Sequence, residues 1–178
     1  MKKYYTLFLG VLLAALPFAL TSCGDDEPDD PNKAKSTFTV NGKPYYDMYQ
    51  SVHGEPEATL YNYIEGLETA QINFEFSASN NQDDLDSWNP TGVYVMIYTK
   101  SFDSSTIAGK ELELTDDIKV SIADGPYLKE YVSGSISVVS IKDDRATIKF
   151  NNLKVCEEDN SSNSAILNGT VVCQYDEI

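Results

Sequence analysis

The sequence is poor in the residues that carry most catalytic and metal chemistry. Its 178 residues include one histidine, His53, and three cysteines. A Ser-His-Asp triad would have to use His53, and no Gly-x-Ser-x-Gly motif accompanies that residue. A zinc site needs several cysteine or histidine ligands at short spacing, which this sequence does not supply. We therefore predict a protein that is not an enzyme, with no catalytic residues and no bound metal or other cofactor.

Basic residues are also scarce. The chain has 13 lysines and arginines against 28 aspartates and glutamates, a formal net charge of −15. Such a charge repels phosphate backbones, so nucleic acid is excluded as a partner. Carboxylates from Asp83, Asp84 and Asp86 could hold calcium, but these residues lack EF-hand spacing, its glycine and its closing glutamate. A solvated acidic loop is the favoured interpretation.

A long run without charge occurs at the N-terminus, from Leu7 to Leu20, after Lys2 and Lys3. A membrane-spanning helix needs about 20 apolar residues, whereas this run is shorter and contains Pro17. A basic start followed by a short apolar core is typical of a signal peptide.

Leu20, Thr21, Ser22 and Cys23 end this segment in order. The pattern resembles the lipobox of bacterial lipoproteins. The resemblance implies cleavage before Cys23, a thioether-linked diacylglycerol on its sulfur, and a further acyl chain on the new amine. Several acyl chains together make an effectively permanent anchor. Residues 1–22 are thus the predicted signal peptide, Cys23 is the predicted lipid attachment site, and a membrane is the first predicted partner.

The segment after Cys23 is acidic and has no apolar side chain from Gly24 to Asn32. We predict that residues 23–36 form a flexible tether. The acidic cluster resembles the surface-export signal of Bacteroidota lipoproteins, and the mature chain is similar to small lipoproteins of gut Bacteroidota. This resemblance implies display on the outer-membrane surface, with the periplasmic face as the alternative, and it implies no activity.

Residues 37–178 read as one domain of short strands separated by turns. Phe38 and Val40 alternate with threonines, and Asn41-Gly42 predicts a hairpin turn. The segment Val93–Tyr98 is apolar on both faces, which predicts a central strand covered on each side. We expect eight to ten strands in an antiparallel β-sandwich. The alternative is a closed or partly open up-and-down β-barrel, similar to lipocalins. Further strands are predicted around Ile72–Phe76, Ile118–Ile122, Ile136–Val138, Ala146–Phe150 and Ile166–Tyr175.

The last two strands hold the remaining cysteines, Cys156 and Cys173. A bulge is predicted at Asn151-Asn152, where the alternation breaks, and a turn near residues 161 and 162. This register places Cys156 opposite Leu167 and Cys173 opposite Phe150, too far apart for a disulfide. Two buried thiols are therefore favoured, and a disulfide would require a different strand pairing.

Aromatic residues provide the best indication of function. Trp88, the sole tryptophan, lies in a polar segment beside Pro90, where its ring could bind a sugar or a partner, or fold back over the core. Tyrosines also cluster early in the chain, at Tyr45, Tyr46, Tyr49, Tyr61 and Tyr63, where they could fill and rim the sheet.

Two functional hypotheses follow. The first is a non-enzymatic binding module for a carbohydrate or other nutrient-related ligand, which predicts an aromatic platform or a cavity. The second is a structural or accessory subunit with a protein partner, which predicts an exposed apolar edge or patch.

Overall fold

The computed structural model describes residues 34–62, 69–81 and 92–177. Within these ranges the chain forms one short helix and nine strands, which confirms the predicted all-β class. The elements are β1 (Thr37–Val40), β2 (Lys43–Tyr45), α1 (Met48–His53), β3 (Thr59–Asn62), β4 (Thr69–Phe76), β5 (Val93–Lys100), β6 (Leu114–Ile122), β7 (Glu130–Lys142), β8 (Arg145–Glu157) and β9 (Asn160–Glu177).

The strands form one open, mixed sheet in the order β2-β1-β9-β3-β4-β5-β6, and β8 and then β7 continue it from the other edge of β9. The predicted antiparallel arrangement is wrong at one pairing, because β3 runs parallel to β9. β2 and β3 point in the same direction, and the segment that contains α1 connects them. β1 and β3 both lie on the edge of β9 that faces away from β8, β1 at residues 167–170 and β3 at residues 174–177. From β3 to β6 and from β7 to β9, strands that are consecutive in sequence pair antiparallel, as in the up-and-down alternative.

The sheet folds over so that distant strands face each other across one core. Phe38 of β1 lies 5.1 Å from Phe74 of β4 and 5.3 Å from Phe150 of β8, measured between ring centroids. Phe74 and Phe150 are also in contact, at 5.9 Å. In the sheet order β9 and β3 separate β8 from β4, so this contact is made between layers. The arrangement is sandwich-like, as predicted.

Gly169 of β9 allows the backbone of β1 to lie close to β9. It is paired with Phe38 on one side and with Phe150 on the other. Its φ angle is +116°, and a Cβ atom there would lie 1.9 Å from the carbonyl oxygen of Thr37. Only glycine can occupy this position, because a Cβ atom would collide with the backbone of β1.

Turn residues define the hairpins of the second half. Asp143 and Asp144 both have positive φ angles and close the β7–β8 hairpin, and Asn41-Gly42 closes β1–β2 in the same way, as predicted. The predicted bulge is confirmed, since the β8–β9 register shifts between Phe150 and Leu153.

The predicted β8–β9 register is wrong. The hairpin closes at residues 158 and 159 rather than near 161 and 162, because both strands continue through polar residues to the turn. Cys156 therefore faces Ser164, and Cys173 faces Ala146. The two cysteines remain apart, and both are buried free thiols.

The start of the described chain is attached to α1 through Gln50. The Gln50 side chain donates to the carbonyl of Ala34 (3.1 Å) and accepts from the backbone N–H of Ser36 (3.2 Å). The Ser36 hydroxyl in turn accepts from the N–H of Val172 on β9 (3.1 Å). We call this network the Gln50 clamp. It holds the chain just before β1 against both α1 and β9.

Candidate functional site

The outward side of β3–β6 combines aromatic, thioether and amide groups. Alternation along β5 turns Val93, Val95 and Ile97 into the core and leaves Tyr94, Met96 and Tyr98 outside. The outward residues of β3 and β4 lie beside them in register. We call this surface the aromatic face; it comprises Tyr61, Gln71, Asn73, Glu75, Tyr94, Met96 and Tyr98.

Strand pairing arranges the aromatic face in rows across the sheet. The middle row runs from Thr59 through Asn73 and Met96 to Lys119. Neighbouring strands are about 4.8 Å apart, so four strands span roughly 14 Å. The row on one side contains Glu75, Tyr94 and Ser121, and the row on the other side contains Tyr61, Gln71 and Tyr98.

The three side chains of β5 on this face are half-buried. The prediction that β5 is central is confirmed, since it lies between β4 and β6. The prediction that it is covered on both sides holds for the inner side only. Tyr94 also contacts Tyr127 edge to face, with ring centroids 6.5 Å apart. The burial of its hydroxyl and the neighbouring tyrosines Tyr127 and Tyr98 raise the pKa of Tyr94.

Tyr127 extends the aromatic face into an open cleft of about 320 Å³. The cleft brings acidic groups and one lysine beside the tyrosine ring. Its walls are formed by Pro126, Tyr127, Lys129, Glu157, Glu158 and Asp159.

The polar residues of β4 occupy the centre of the aromatic face. Asn73 is half-buried, and its Oδ1 atom is buried without a hydrogen-bond donor among the described residues. Its neighbours along the strand are Gln71 and Glu75. Amide and carboxylate groups beside aromatic rings can fix the orientation of a ligand that the rings hold by contact.

A carboxylate with an unusual pKa lies at the Glu75 end of the face. Glu57 is exposed by accessible surface, but desolvation of its carboxyl group by the surrounding protein and the negative charges of Asp47 and Glu75 raise the pKa of Glu57 to about 7. Asp47 is buried and caps α1, since its carboxylate accepts from the N–H groups of Gln50 (2.9 Å) and Glu57 (3.2 Å). Burial raises the pKa of Asp47 although these hydrogen bonds lower it. Glu57 can therefore exchange a proton near neutral pH.

Several residues singled out in the sequence lie outside the described residues. These are Cys23, Trp88, Tyr63 and the three aspartates Asp83, Asp84 and Asp86. Their predicted roles stay predictions.

The other singled-out residues do not form one site. His53 is exposed at the end of α1, where its ring contacts the ring of Tyr49 at 4.4 Å. Tyr45 is buried in the core, Tyr46 is half-buried, and only Tyr61 belongs to the aromatic face. Burial raises the pKa of the thiols of Cys156 and Cys173, so both are poor nucleophiles.

The sequence interpretation missed Asn73, Tyr94 and Tyr98. A signal for the two tyrosines was present, since β5 places β-branched residues at every second position and Tyr or Met between them. The unpaired oxygen of Asn73 had no sequence signal, because the absence of a donor is a property of the folded neighbourhood.

Searches against protein-family models, curated proteins and solved structures find no match to this chain. Among residues 34–62, 69–81 and 92–177, no three acidic, histidine or cysteine side chains are grouped so as to hold a metal ion. In the same part of the chain, no helix is long and apolar enough to cross a membrane.

Proposed function

We propose that this protein is a lipid-anchored, non-enzymatic binding module whose aromatic face takes a glycan. The observation that carries the proposal is that the half-buried side chains of Tyr94, Met96 and Tyr98, along the outer side of β5, lie next to the amides of Gln71 and Asn73 on β4. The C–H faces of a sugar ring pack against aromatic side chains, while its hydroxyls need hydrogen-bonding groups close by. The aromatic face offers both within roughly 14 Å, about the length of two or three sugar units.

The anchor part of the proposal rests on the sequence. Lys2, Lys3, an apolar run and the lipobox ending at Cys23 support lipidation, and the acidic residues that follow support display on the outer-membrane surface. Mass spectrometry of the protein from its native membrane tests this. We expect an acylated Cys23 at the new N-terminus, and an unmodified sulfur or a retained segment 1–22 would contradict the anchor.

An interaction subunit is the second candidate, and one observation favours it. Tyr131 and Val132 at the start of β7 are 50% and 47% exposed. Over Ile136–Val138 the edge of β7 away from β8 is already hydrogen-bonded to residues 109–112. Next to Tyr131 the strand is irregular, because its register with β8 shifts twice between Tyr131 and Ser135. Bulges of this kind block the addition of another strand. A protein partner would therefore contact the exposed side chains rather than extend the sheet.

Binding of the chain from residue 24 onward to an oligosaccharide array separates the two candidates. We expect binding to at least one neutral oligosaccharide, a loss of about tenfold or more in Tyr98→Ala because a packed aromatic ring is removed, and no change in Tyr131→Ala. Trp88, six residues before Tyr94 in the sequence, is tested in parallel through Trp88→Ala. Equal binding by the wild type and Tyr98→Ala, or none by either, would contradict a glycan site on the aromatic face.

A further inference from the structure

α1 presents an exposed side that combines two rings and a valine. Tyr49 and Val52 are 47% and 41% exposed, and His53 is also exposed, with its ring against the ring of Tyr49. Residues three and four positions apart lie on the same side of a helix, so these three side chains form one surface. We call this surface the α1 patch.

The α1 patch carries no acidic or basic side chain, although the protein is strongly acidic. The chain has 28 aspartates and glutamates, yet the segment from Met48 to Gly54 contains none of them and no lysine or arginine. Of the flanking acids, Asp47 is buried and caps α1, and Glu55 is paired with Arg145. Anionic lipid headgroups repel an acidic surface, so an uncharged patch is the part of such a domain that can approach a bilayer.

The α1 patch also lies where the chain enters the domain. Gln50 of α1 donates to the carbonyl oxygen of Ala34, the first residue that the structure describes. Ala34 is the eleventh residue after Cys23, and a chain of that length spans at most about 40 Å when it is fully extended. If Cys23 carries lipid, the α1 patch is the exposed apolar surface that lies nearest to the bilayer along this connection.

We infer that the α1 patch contacts the headgroup region of the membrane that holds the lipid anchor, an inference that rests on the anchor part of the proposed function. Tyrosine rings are favoured at this level of a bilayer, where the ring is shielded and its hydroxyl stays hydrated. The patch is too small to bind a bilayer by itself. Attachment through Cys23 raises its effective concentration at the surface, so a weak contact is enough to orient the domain.

Tyr131 provides a matched comparison far from α1. Its side chain is 50% exposed, and it pairs with Val155 of β8. Arg145, which is paired with Glu55 just after α1, lies ten residues before Val155 on the same strand. At about 3.3 Å per residue, this is a separation of roughly 30 Å along β8. A membrane contact through α1 therefore predicts that Tyr131 stays off the bilayer.

Fluorescence quenching by brominated lipids tests the inference on the lipidated protein. The acylated chain from Cys23 onward carries Trp88→Phe, so that an introduced tryptophan is its only one, and is reconstituted in vesicles of phosphatidylethanolamine and phosphatidylglycerol with brominated acyl chains. We expect Tyr49→Trp to lose about half of its emission relative to unbrominated vesicles, because an interfacial ring lies close to the bromine atoms. Tyr131→Trp should keep its emission. Without lipid, the chain from residue 24 onward should show no quenching of Tyr49→Trp.

A charge placed on the α1 patch provides a second test. Val52→Glu, introduced into the Tyr49→Trp protein, should abolish the quenching because anionic headgroups repel a carboxylate. The matched change Val132→Glu, at a position that is 47% exposed beside Tyr131, should leave the quenching unchanged. Quenching that survives Val52→Glu, or that is equal in Tyr49→Trp and Tyr131→Trp, would overturn the inference.

The possible outcomes separate this inference from the proposed function. If mass spectrometry shows Cys23 without acyl chains, the proposed anchor fails and the inference fails with it. If Cys23 is acylated but Tyr49→Trp is not quenched, the anchor stands and the membrane contact does not exist. A dimer of the chain from residue 24 onward that Val52→Glu dissociates would assign the α1 patch to a second copy of the chain, which also overturns the inference.

Discussion

The outward side of β7–β9 carries Ser137, Thr147, Lys149 and Asn151, whereas the outward side of β3–β6 carries the aromatic face. We call the first surface, with Ser135 and Thr170, the hydroxyl face. Both are outer sides of the same sandwich and cover the same core. The hydroxyl face satisfies its own amide through Ser135 and Ser137, while the aromatic face leaves rings half-exposed and one acceptor unpaired. The first surface satisfies its buried polar groups without a ligand, and the second is the surface on which we propose one.

Both faces cover one shared core, and Gly169→Ala is the substitution expected to destabilise this core most. The added Cβ would collide with the carbonyl oxygen of Thr37, and the φ angle of +116° is unfavourable for alanine. We expect a loss of about 3 kcal/mol or more in the free energy of unfolding, measured by urea denaturation. Gly109→Ala is a suitable control, since it also has a positive φ angle but open space around it. Similar losses in both variants would mean that the contact with Thr37 does not matter.

A smaller effect is expected where the aromatic face meets α1. Asp47→Ala removes the helix cap and an acceptor for the Glu57 N–H, which should cost about 1–2 kcal/mol. Asp47→Asn keeps an acceptor oxygen and should cost less. Circular dichroism during urea unfolding would measure both variants. Equal stability of Asp47→Ala and the wild type would contradict the capping role.

The raised pKa of the Glu57 carboxyl group, at the edge of the aromatic face, should make the stability of the domain depend on pH. Its pKa in the folded protein, about 7, exceeds the usual 4.5, so between these values the folded state binds more protons than the unfolded state. The contribution of Glu57 to stability is therefore lost as the pH rises from about 4.5 to about 7. We expect Glu57→Gln to gain stability relative to the wild type over this window.

Unfolding midpoints at pH 5 and pH 8 would measure this difference. Glu158→Gln, at an exposed position on the β8–β9 turn, is the control for the change in net charge. A wild type and a Glu57→Gln variant with parallel pH profiles would disagree with the raised pKa. Asp47→Asn removes a neighbouring negative charge that is one cause of the raised pKa of Glu57. The pKa of Glu57 should then lie closer to its usual value, and the pH range over which stability is lost should be narrower.

The smallest effect on stability is expected when an apolar side chain of the aromatic face is replaced by one that carries a hydroxyl group, as on the hydroxyl face. Met96→Thr places a good strand former on a half-exposed position of β5, which is paired on both sides. We expect a change of less than about 1 kcal/mol in the free energy of unfolding. A Val95→Thr control, which puts a hydroxyl in the core beside this position, should be clearly more damaging. A large loss in Met96→Thr would show that the aromatic face serves stability rather than binding.

Local features of the fold were predictable because neighbouring residues decide them. The alternation of Ile72, Phe74 and Phe76 predicts the inner side of β4, and Asn41-Gly42 and Asn151-Asn152 predict a turn and a bulge that the structure confirms. The parallel pairing of β3 with β9 was not predictable, since it depends on how the chain crosses between strands far apart in sequence. α1 is too short to show helical spacing.

The candidate site was only partly predictable for a related reason. Aromatic abundance indicates a binding surface, but it does not say which rings are gathered on one face. In β5 every residue from Val93 to Tyr98 is apolar or aromatic, so the inner and outer sides look alike in a hydrophobicity pattern. Strand register brings Asn73 beside Met96 and Tyr98 beside Gln71, and register is settled by the whole sheet.

The Gln50 clamp has a mechanical consequence. If lipid on Cys23 holds the protein at a membrane, any drag on a captured ligand is resisted through the chain that enters at Ala34. The clamp passes part of that tension to α1 and β9, and the rest reaches β1, which is flanked by β2 on one side and β9 on the other. A pull along the axis of β1 loads its hydrogen bonds to both neighbouring strands at the same time, instead of breaking them one after another. The domain is thereby fastened at a point where force is shared by several elements.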